Sequence, residues 1–433
     1  KDLEFEVKTL ASQYSFFHWH LIFPQIFKKN IECSHPGWLG GFDVVLGNPP
    51  WETVELKEKE YFSVVAPKIA NASSRTRKKL LFQLEESNSN LWNNFKQEKQ
   101  RIGRFSHFLN ASKTFTFTDH GRINLYSLFS ERAKDLISPQ GRLGIIVPPG
   151  IATESNTKEF FNDLVESKRI VSLFSFDERA PYFNTVQMRF CLLTLTGSLQ
   201  PSVANTFVYY ATSISELSDS NRSFTLNHED LLLLNPNTRT SPTFRSRRDA
   251  DIVKAVYRHV PILENKAHPE KNTWSTNLKT HFNKTTAAPL FRIASDLSSE
   301  GWNLAGNRWY KDNDEFLPVY EGKMIWHFNH RAMTYEDQSF RPLAQHELTD
   351  PSFLAQPEYW INRNEINIKV PKSYSNLMGG RLISNISNRR TLIYSLFPLS
   401  AASHSLLIEF TPQTKSFEYL HISDHSSFIH DYI

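Results

Sequence analysis

Asn48, Pro49, Pro50 and Trp51 are four scarce residue types in a row, set directly after the apolar run Phe42-Asp43-Val44-Val45-Leu46 and Gly47. At ordinary residue frequencies such a tetrad arises by chance in a chain of this length with a probability on the order of one in a thousand. Two consecutive prolines fix φ and forbid continuation of helix or sheet, so Asn48 and Trp51 are held in a set relation. The chemistry that such a loop serves is activation of an aromatic amine. The lone pair of an amino group such as adenine N6 is delocalised into the ring and attacks poorly. Two acceptors, the Asn48 side-chain oxygen and the Pro49 carbonyl, can each take one amino hydrogen and favour the pyramidal nitrogen that attacks a sulfonium methyl group. No general base of low pKa is needed. The base must first leave a duplex, at a cost of about a few kcal/mol, and the face of Trp51 offers stacking of about 1 to 3 kcal/mol in return. The plainer reading is a tight turn with a core tryptophan.

The elements that must position this loop are legible around it. Phe42–Leu46 is β-rich and apolar and is expected to be a buried strand, which puts the loop at a carboxyl end, where open α/β sheets place their ligands. Residues 61–104 are polar and amide-rich, with Arg75, Arg77, Lys78 and Lys79 close together, and are expected as a helical excursion whose basic face is either solvated or turned to DNA. Ile123, Tyr126, Ala133, Leu136 and Ile137 recur at helical spacing, and Pro139 and Gly141 are expected to end that helix before a strand at 142–147. Ser155 is a candidate cap for a further helix carrying Phe160, Phe161, Leu164 and Val165, followed by a strand at 170–176. A turn-rich stretch separates that strand from 189–196, close enough for antiparallel pairing at the sheet edge. The expected fold class is α/β, a mostly parallel sheet with a terminal antiparallel hairpin.

Three regions follow: 1–200 with the loop, a connector over 201–272 with a basic helix around Arg245, Arg247, Arg248, Lys254 and Arg258, and an α+β domain over 273–433 with strand-like runs at 323–328 and 391–396. The 433 residues exceed one ordinary core. A net charge of +4 permits a nucleic-acid partner without demanding one. Cys33 and Cys191 are far apart and have no Cys-x-x-Cys companion, which speaks against a disulfide framework or zinc ribbon and for a reducing cytoplasm. No apolar run is long enough to span a bilayer. His18, His20, His327 and His330 lack a completing carboxylate or Cys spacing, so no metal is expected. Lys1 in place of an initiator and Ile433 ending an ordered-looking stretch point to a fragment.

FDVVLGNPPW resembles the catalytic motif of the amino-methyltransferases, and the form with Trp is typical of large restriction and phage-defence DNA methylases. FHWHLIFPQIF (17–27), INLYSLF (123–129), GRLGIIVP (141–148) and PYFNTVQMRFCLLTL (181–195) resemble successive blocks of that family. FRSRRDADIVKAVYR (244–258), LPVYEGKMIWHFNHRAMTY (317–335) and RLISNISNRRTLIYSLFP (381–398) resemble the fused target-recognition region of type IIG restriction enzymes. The resemblance implies a partial Rossmann-like methyltransferase sheet followed by an α+β target-recognition domain, N6-adenine methylation of double-stranded DNA, and S-adenosylmethionine as donor. It makes Asn48, Pro49, Pro50 and Trp51 catalytic. Phe183 matches the aromatic that clamps the flipped base from the far side, while on residue type alone it reads equally as core. One departure stands out: the family holds its donor with a glycine-rich strand-turn and an acidic residue ahead of the catalytic loop, and no Gly-x-Gly occurs among the 15 Gly of this chain. The implication is a donor site completed by an N-terminal region of the same polypeptide that is not present.

Candidates for DNA contact are Arg245 and Arg248 in the connector and Lys323, Arg331, Arg381, Arg389 and Arg390 in the last domain, with phosphate contacts to position the duplex and bidentate Arg–guanine pairs to read it. Taken one at a time, each reads more readily as solvated charge or a local salt bridge, and it is as a group that they count. Two other readings stand beside the DNA methylase: a transferase acting on RNA or a protein amide, and a DNA-binding module without activity of its own. No acidic pair followed by Glu-x-Lys in a strand setting marks a nuclease.

Overall fold

In a computed structural model, residues 2–29, 38–183, 188–272, 277–385, 387–388 and 391–410 are described, and they form two compact units, Lys1–Pro261 and Ile262–Ile433. The first is built on a five-stranded sheet. Its strands are β3 (Phe42–Gly47), β4 (Ile137–Val147), β5 (Ile170–Phe176), β6 (Phe190–Thr196) and β7 (Thr206–Ala211), in spatial order β3-β4-β6-β5-β7. A small antiparallel pair, β1 (Phe27–Lys29) and β2 (Trp38–Gly40), precedes them. β3 runs parallel to β4 and β5 parallel to β7, while β6 is antiparallel to both of its neighbours. The antiparallel pairing of β5 with β6 is therefore present. β6 nevertheless lies inside the sheet, and β7 takes the edge.

Between β3 and β4 the chain makes a helical excursion, Glu58–Val65, Pro67–Ala70, Ser74–Ser87 and Ser89–Ala111, with a core of its own around Phe62, Leu81, Leu84 and Phe95. Arg77, expected on a basic face, is buried there and donates to the carbonyls of Ile69, Ala70 and Ala72. Helix Leu125–Leu136 packs on the sheet and ends where β4 begins. Pro139 and Gly141 stand inside that long strand rather than between helix and strand. Ser155 lies in a short 3-10 turn, and helix Lys158–Glu166 starts after Thr157, without a side-chain cap. The stretch expected as a connector supplies β7, helix His228–Leu234 and helix Arg247–His259 to the same unit, and Phe224, Leu231, Phe244 and Val253 join its main core.

β3 was expected to be buried. It is not: Val44 is 60% and Leu46 78% exposed. Among the described residues β3 pairs only with β4, so one edge and much of each face lack the neighbours that apolarity anticipates.

The second unit is mostly antiparallel. β8 (Asn277–Lys279), β15 (Asn376–Arg381), β16 (Tyr394–Pro398) and β18 (Leu406–Phe410) form one sheet in the order β16-β15-β18-β8. β9 (Asn303–Ala305), β10 (Arg308–Lys311), β11 (Asp314–Tyr320) and β14 (Trp360–Asn362) form another, β17 (Ala401–Ala402) adds to β11 in parallel, and β12 (Met333–Glu336) pairs with β13 (Ser339–Pro342) as a hairpin. Residues 323–328 are not the expected strand. A 3-10 turn, Gly322–Met324, leads into a tight reversal in which Trp326 and Asn329 exchange both main-chain hydrogen bonds. The run expected at 391–396 is shifted onward to Tyr394–Pro398.

Candidate active site

Register places the candidate groups on one border of the first unit's sheet. Gly47 stands opposite Ile145, Val147 opposite Cys191, Phe190 opposite Phe176, and Phe176 opposite Ala211. The carboxyl ends of β3, β4, β5 and β7 and the amino end of β6 thus share that border.

The tetrad leaves β3 there. Asn48 is exposed, Pro49 half-buried, Pro50 exposed and Trp51 half-buried. The ladder between β3 and β4 stops where Pro49 and Pro50 remove two successive N–H donors, and the Trp51 indole N–H donates instead to the Ile146 carbonyl at 3.3 Å. Trp51 packs on two clusters, the main core and the group Phe176, Ala180, Phe190, Val208 and Ala211. Beyond it, the Leu125 N–H donates to the Glu52 carbonyl at 2.9 Å and the Val54 N–H to the Ile123 carbonyl at 3.0 Å. Arg122 pairs with Glu55 in the same brace. The loop is therefore fixed at both ends while the Asn48 side chain faces solvent, with no hydrogen-bond partner among the described residues.

Phe183 reaches the same border from the far side. It is 45% exposed and meets Phe190 edge-on, with ring centroids 4.9 Å apart, and Phe190 stacks on Phe176 at 4.8 Å. Phe190 thus links Phe183 to the cluster on which Trp51 rests. Just after β5, the hydrogen bond from the Arg179 side chain holds the Asp177 carboxyl below its ordinary range, with the charge of Arg189 adding to this effect. The buried Cys191 thiol is pushed well up by desolvation and is no nucleophile.

The DNA-contact candidates divide. Arg245 is exposed, its guanidinium 4.8 Å from the centre of the Tyr210 ring. Arg248 is exposed on helix Arg247–His259 beside Asp251 and Asn221. Lys323 is exposed and lies 4.4 Å from the Phe340 ring centre. Arg331 instead donates to the carbonyls of Asp350, Phe353 and Leu348 at 2.7, 2.9 and 3.0 Å. Arg381 donates twice to the Ile325 carbonyl, at 2.7 and 3.1 Å, and stacks on Trp326 at 4.7 Å. These two guanidiniums are engaged by their own unit. Arg389 and Arg390 lie outside the described residues, as does Cys33. Sequence reasoning missed Arg189 and Tyr210. Their types carry no signal, and only the pairing of strands brings them together.

The described residues do not fit an S-adenosylmethionine site. The sequence has no Gly-x-Gly turn, and β3, which leads into the Asn48 loop, has no further strand next to it among the described residues. No group of three or more His, Cys, Asp or Glu stands together as metal ligands among the described residues, and none of their helices is long and apolar enough to cross a membrane.

No curated protein matches the chain. Among solved structures it is similar to a nuclease-deletion mutant of the type ISP restriction-modification enzyme LlaGI in complex with a DNA substrate mimic, at 10% identity over 90% of this chain and 38% of that one, TM-score 0.39. It is similar to the type IIL restriction-modification enzyme MmeI in complex with DNA, at 8% identity over 88% of this chain and 42% of that one, TM-score 0.38. It is also similar to a type I restriction-modification methyltransferase subunit from Streptococcus thermophilus, at 12% identity over 32% of this chain and 35% of that one, TM-score 0.25. The chain thus spans well under two thirds of the length of each. Residues 95–183, from the helical excursion through β4 and β5 to Phe183, match the family described as Eco57I restriction-modification methylase.

Proposed function

We propose that the chain is the catalytic-loop and target-recognition part of a restriction-modification DNA methyltransferase that modifies adenine N6. The observation that carries this reading is the placement of Asn48. It follows β3 directly, exposed and without a hydrogen-bond partner among the described residues, on a loop braced by Trp51 and Glu52 at the border that Phe183 also reaches. Match of residues 95–183 to the methylase family supports it.

In this reading the extruded adenine enters between Phe183 and the loop. The Asn48 side-chain oxygen and the Pro49 carbonyl each accept one hydrogen of the amino group, and Trp51 holds both acceptors at a fixed height above the sheet. S-adenosylmethionine would supply the methyl group, and its site would need a further region of polypeptide at the edge of β3 that has no partner among the described residues, where Val44 and Leu46 stand uncovered. The second unit reads the target sequence.

The test is Asn48→Ala in the enzyme with its donor-binding region, assayed by labelled methyl transfer to duplex DNA. Turnover should fall by roughly a hundredfold or more with DNA affinity kept, since an acceptor for the developing charge is lost and no phosphate contact is touched. Unchanged turnover would remove the catalytic assignment. The poor fit of the donor favours a second reading, a DNA-binding module without activity. Wild-type methyl transfer to DNA excludes it, and transfer to RNA or a protein amide but not to DNA would overturn the substrate.

A further inference from the structure

A second feature of the catalytic border is a stack of three side chains that the amine chemistry does not use. Arg189, exposed just before β6, has its guanidinium carbon 5.3 Å from the centre of the Tyr210 ring, and Arg245, also exposed, lies 4.8 Å from the same centre. Tyr210 precedes Ala211, which stands opposite Phe176, so the stack shares the border with Asn48 and Phe183.

The platform is held from every side. Tyr210 has φ of +58°, a left-handed backbone that a residue with a side chain seldom adopts. Strand pairing between β5 and β7 is irregular at this point. Arg222 donates to the carbonyls of Tyr209 and Tyr210, both at 3.0 Å, and to that of Arg245. The Tyr210 hydroxyl bonds the Thr243 hydroxyl at 2.9 Å. An out-of-line tyrosine fixed this firmly presents its ring in one orientation, and a guanidinium lying on a ring is pre-oriented with its donors outward.

Two acids of the same region are committed to other arginines. Asp177, whose charge Arg189 also feels, is engaged by Arg179 at 2.7 Å, and Glu216 is paired with Arg222 at 2.9 Å. Among the described residues Arg245 has no ion pair. Both exposed guanidiniums are open to an anion, and a polyanion running past the border where a base is extruded is the phosphodiester backbone of the strand carrying that base.

We propose that Arg189, Tyr210 and Arg245 form a phosphate clamp for the DNA strand whose base enters the Asn48 loop. The proposal rests on the DNA reading above and adds the residues that grip the backbone. They are binding and positioning residues, distinct from the acceptors that act on the amine.

The test uses the 433-residue chain and a short fluorescein-labelled DNA duplex, with affinity read by anisotropy over a range of salt concentrations. Arg189→Ala and Arg245→Ala should each lower the slope of log affinity against log salt by about 1, and the pair by about 2, while Lys8→Ala, in helix Asp2–Tyr14 and paired with Glu4, leaves it unchanged. Arg189→Lys and Arg245→Lys keep the charge and should keep most of the slope. If an alanine variant melts at a lower temperature, glutamine at the same position carries the comparison. A wild-type slope in the double variant, with the wild type binding duplex DNA, would overturn the clamp and leave the DNA reading standing. A wild type that binds no duplex at any salt would overturn the DNA reading and the clamp together. Tighter binding of single-stranded RNA, with the same loss of slope, would reassign the clamp to RNA.

Discussion

The indole nitrogen of Trp51 donates to the main-chain carbonyl of Ile146 at 3.3 Å, and so supplies from a side chain the ladder bond that Pro49 and Pro50 cannot make. This bond fixes the height of the loop relative to β4, and with it the position of Asn48 and the Pro49 carbonyl. Trp51→Phe keeps an aromatic wall and loses the donor, leaving the Ile146 carbonyl without that partner. The expected cost is about 1 kcal/mol in urea unfolding. Trp51→Ala also removes ring contacts from two clusters and should cost about 2 to 4 kcal/mol. Equal stability of Trp51→Phe and wild type would show that the indole N–H does not hold the loop.

Glu131 extends the brace. It is 1% exposed, and its carboxylate accepts from the Thr116 N–H at 2.8 Å, the Phe117 N–H at 3.3 Å and the Thr118 hydroxyl at 2.6 Å. These bonds shape the segment that leads into Ile123 and Leu125, the partners of Val54 and Glu52. Glu131→Gln turns an amide N–H toward groups that are themselves donors. It should lower stability by about 2 kcal/mol and speed amide exchange at Thr116 and Phe117 ahead of global unfolding. Unaltered exchange there would detach Glu131 from the loop.

How much of this was legible in advance depends on how local each signal is. Strands occur in the runs 42–46, 142–147, 170–176 and 189–196 because their apolar residues are contiguous in sequence, although the turn expected at Pro139 and Gly141 is absorbed into β4. The Asn48 loop was legible for the same reason. That β6 lies between β4 and β5, or that β7 follows across a stretch that reads as a connector, depends on pairings between distant segments that no local pattern encodes. The apolarity of Val44 and Leu46 was read as burial, but a residue type states a preference and cannot supply the neighbour. Arg331 and Arg381 were read as contacts to DNA because an arginine's type does not say whether its donors face a phosphate or a carbonyl of its own fold. Arg189 and Tyr210 lie 21 positions apart in sequence and meet only through the register of β5 with β6 and β7.

His281 sets a pH limit on the second unit. Burial, reinforced by the charges of Lys369 and Lys279, lowers its pKa to about 4, and neither ring nitrogen has a hydrogen-bond partner among the described residues. A histidine that is neutral when folded binds its proton more readily when unfolded. Its contribution is therefore complete above the ordinary value near 6.5 and is lost as pH falls toward 4, by up to about 3 kcal/mol. His281→Phe keeps a ring against Phe410, which lies 5.7 Å from the imidazole, and should flatten that dependence. Urea midpoints between pH 7 and pH 4 check this, and an equal acid loss in the variant would place the sensitivity elsewhere.

Arg331 separates a structural arginine from a DNA contact. Its guanidinium closes the end of helix Gln345–Thr349 and the turn after it by donating to the carbonyls of Leu348, Asp350 and Phe353. Helix C-terminal carbonyls have no partner within the helix, and a cation there is doubly favourable because it satisfies them and faces the negative end of the dipole. Arg331→Ala should cost about 2 to 3 kcal/mol by leaving three carbonyls without this donor. Arg331→Lys should recover only part, since one ammonium cannot reproduce the planar fork that reaches all three. DNA affinity in the folded population, and its salt slope, should match wild type in both variants. Lys323→Ala, at an exposed position against the Phe340 ring, should have the opposite signature if Lys323 meets a phosphate: stability within about 0.5 kcal/mol of wild type and a salt slope lower by about 1. Thermal melting and anisotropy on the same preparations decide between them, and a reduced salt slope with unchanged stability for Arg331→Ala would return that residue to the DNA interface.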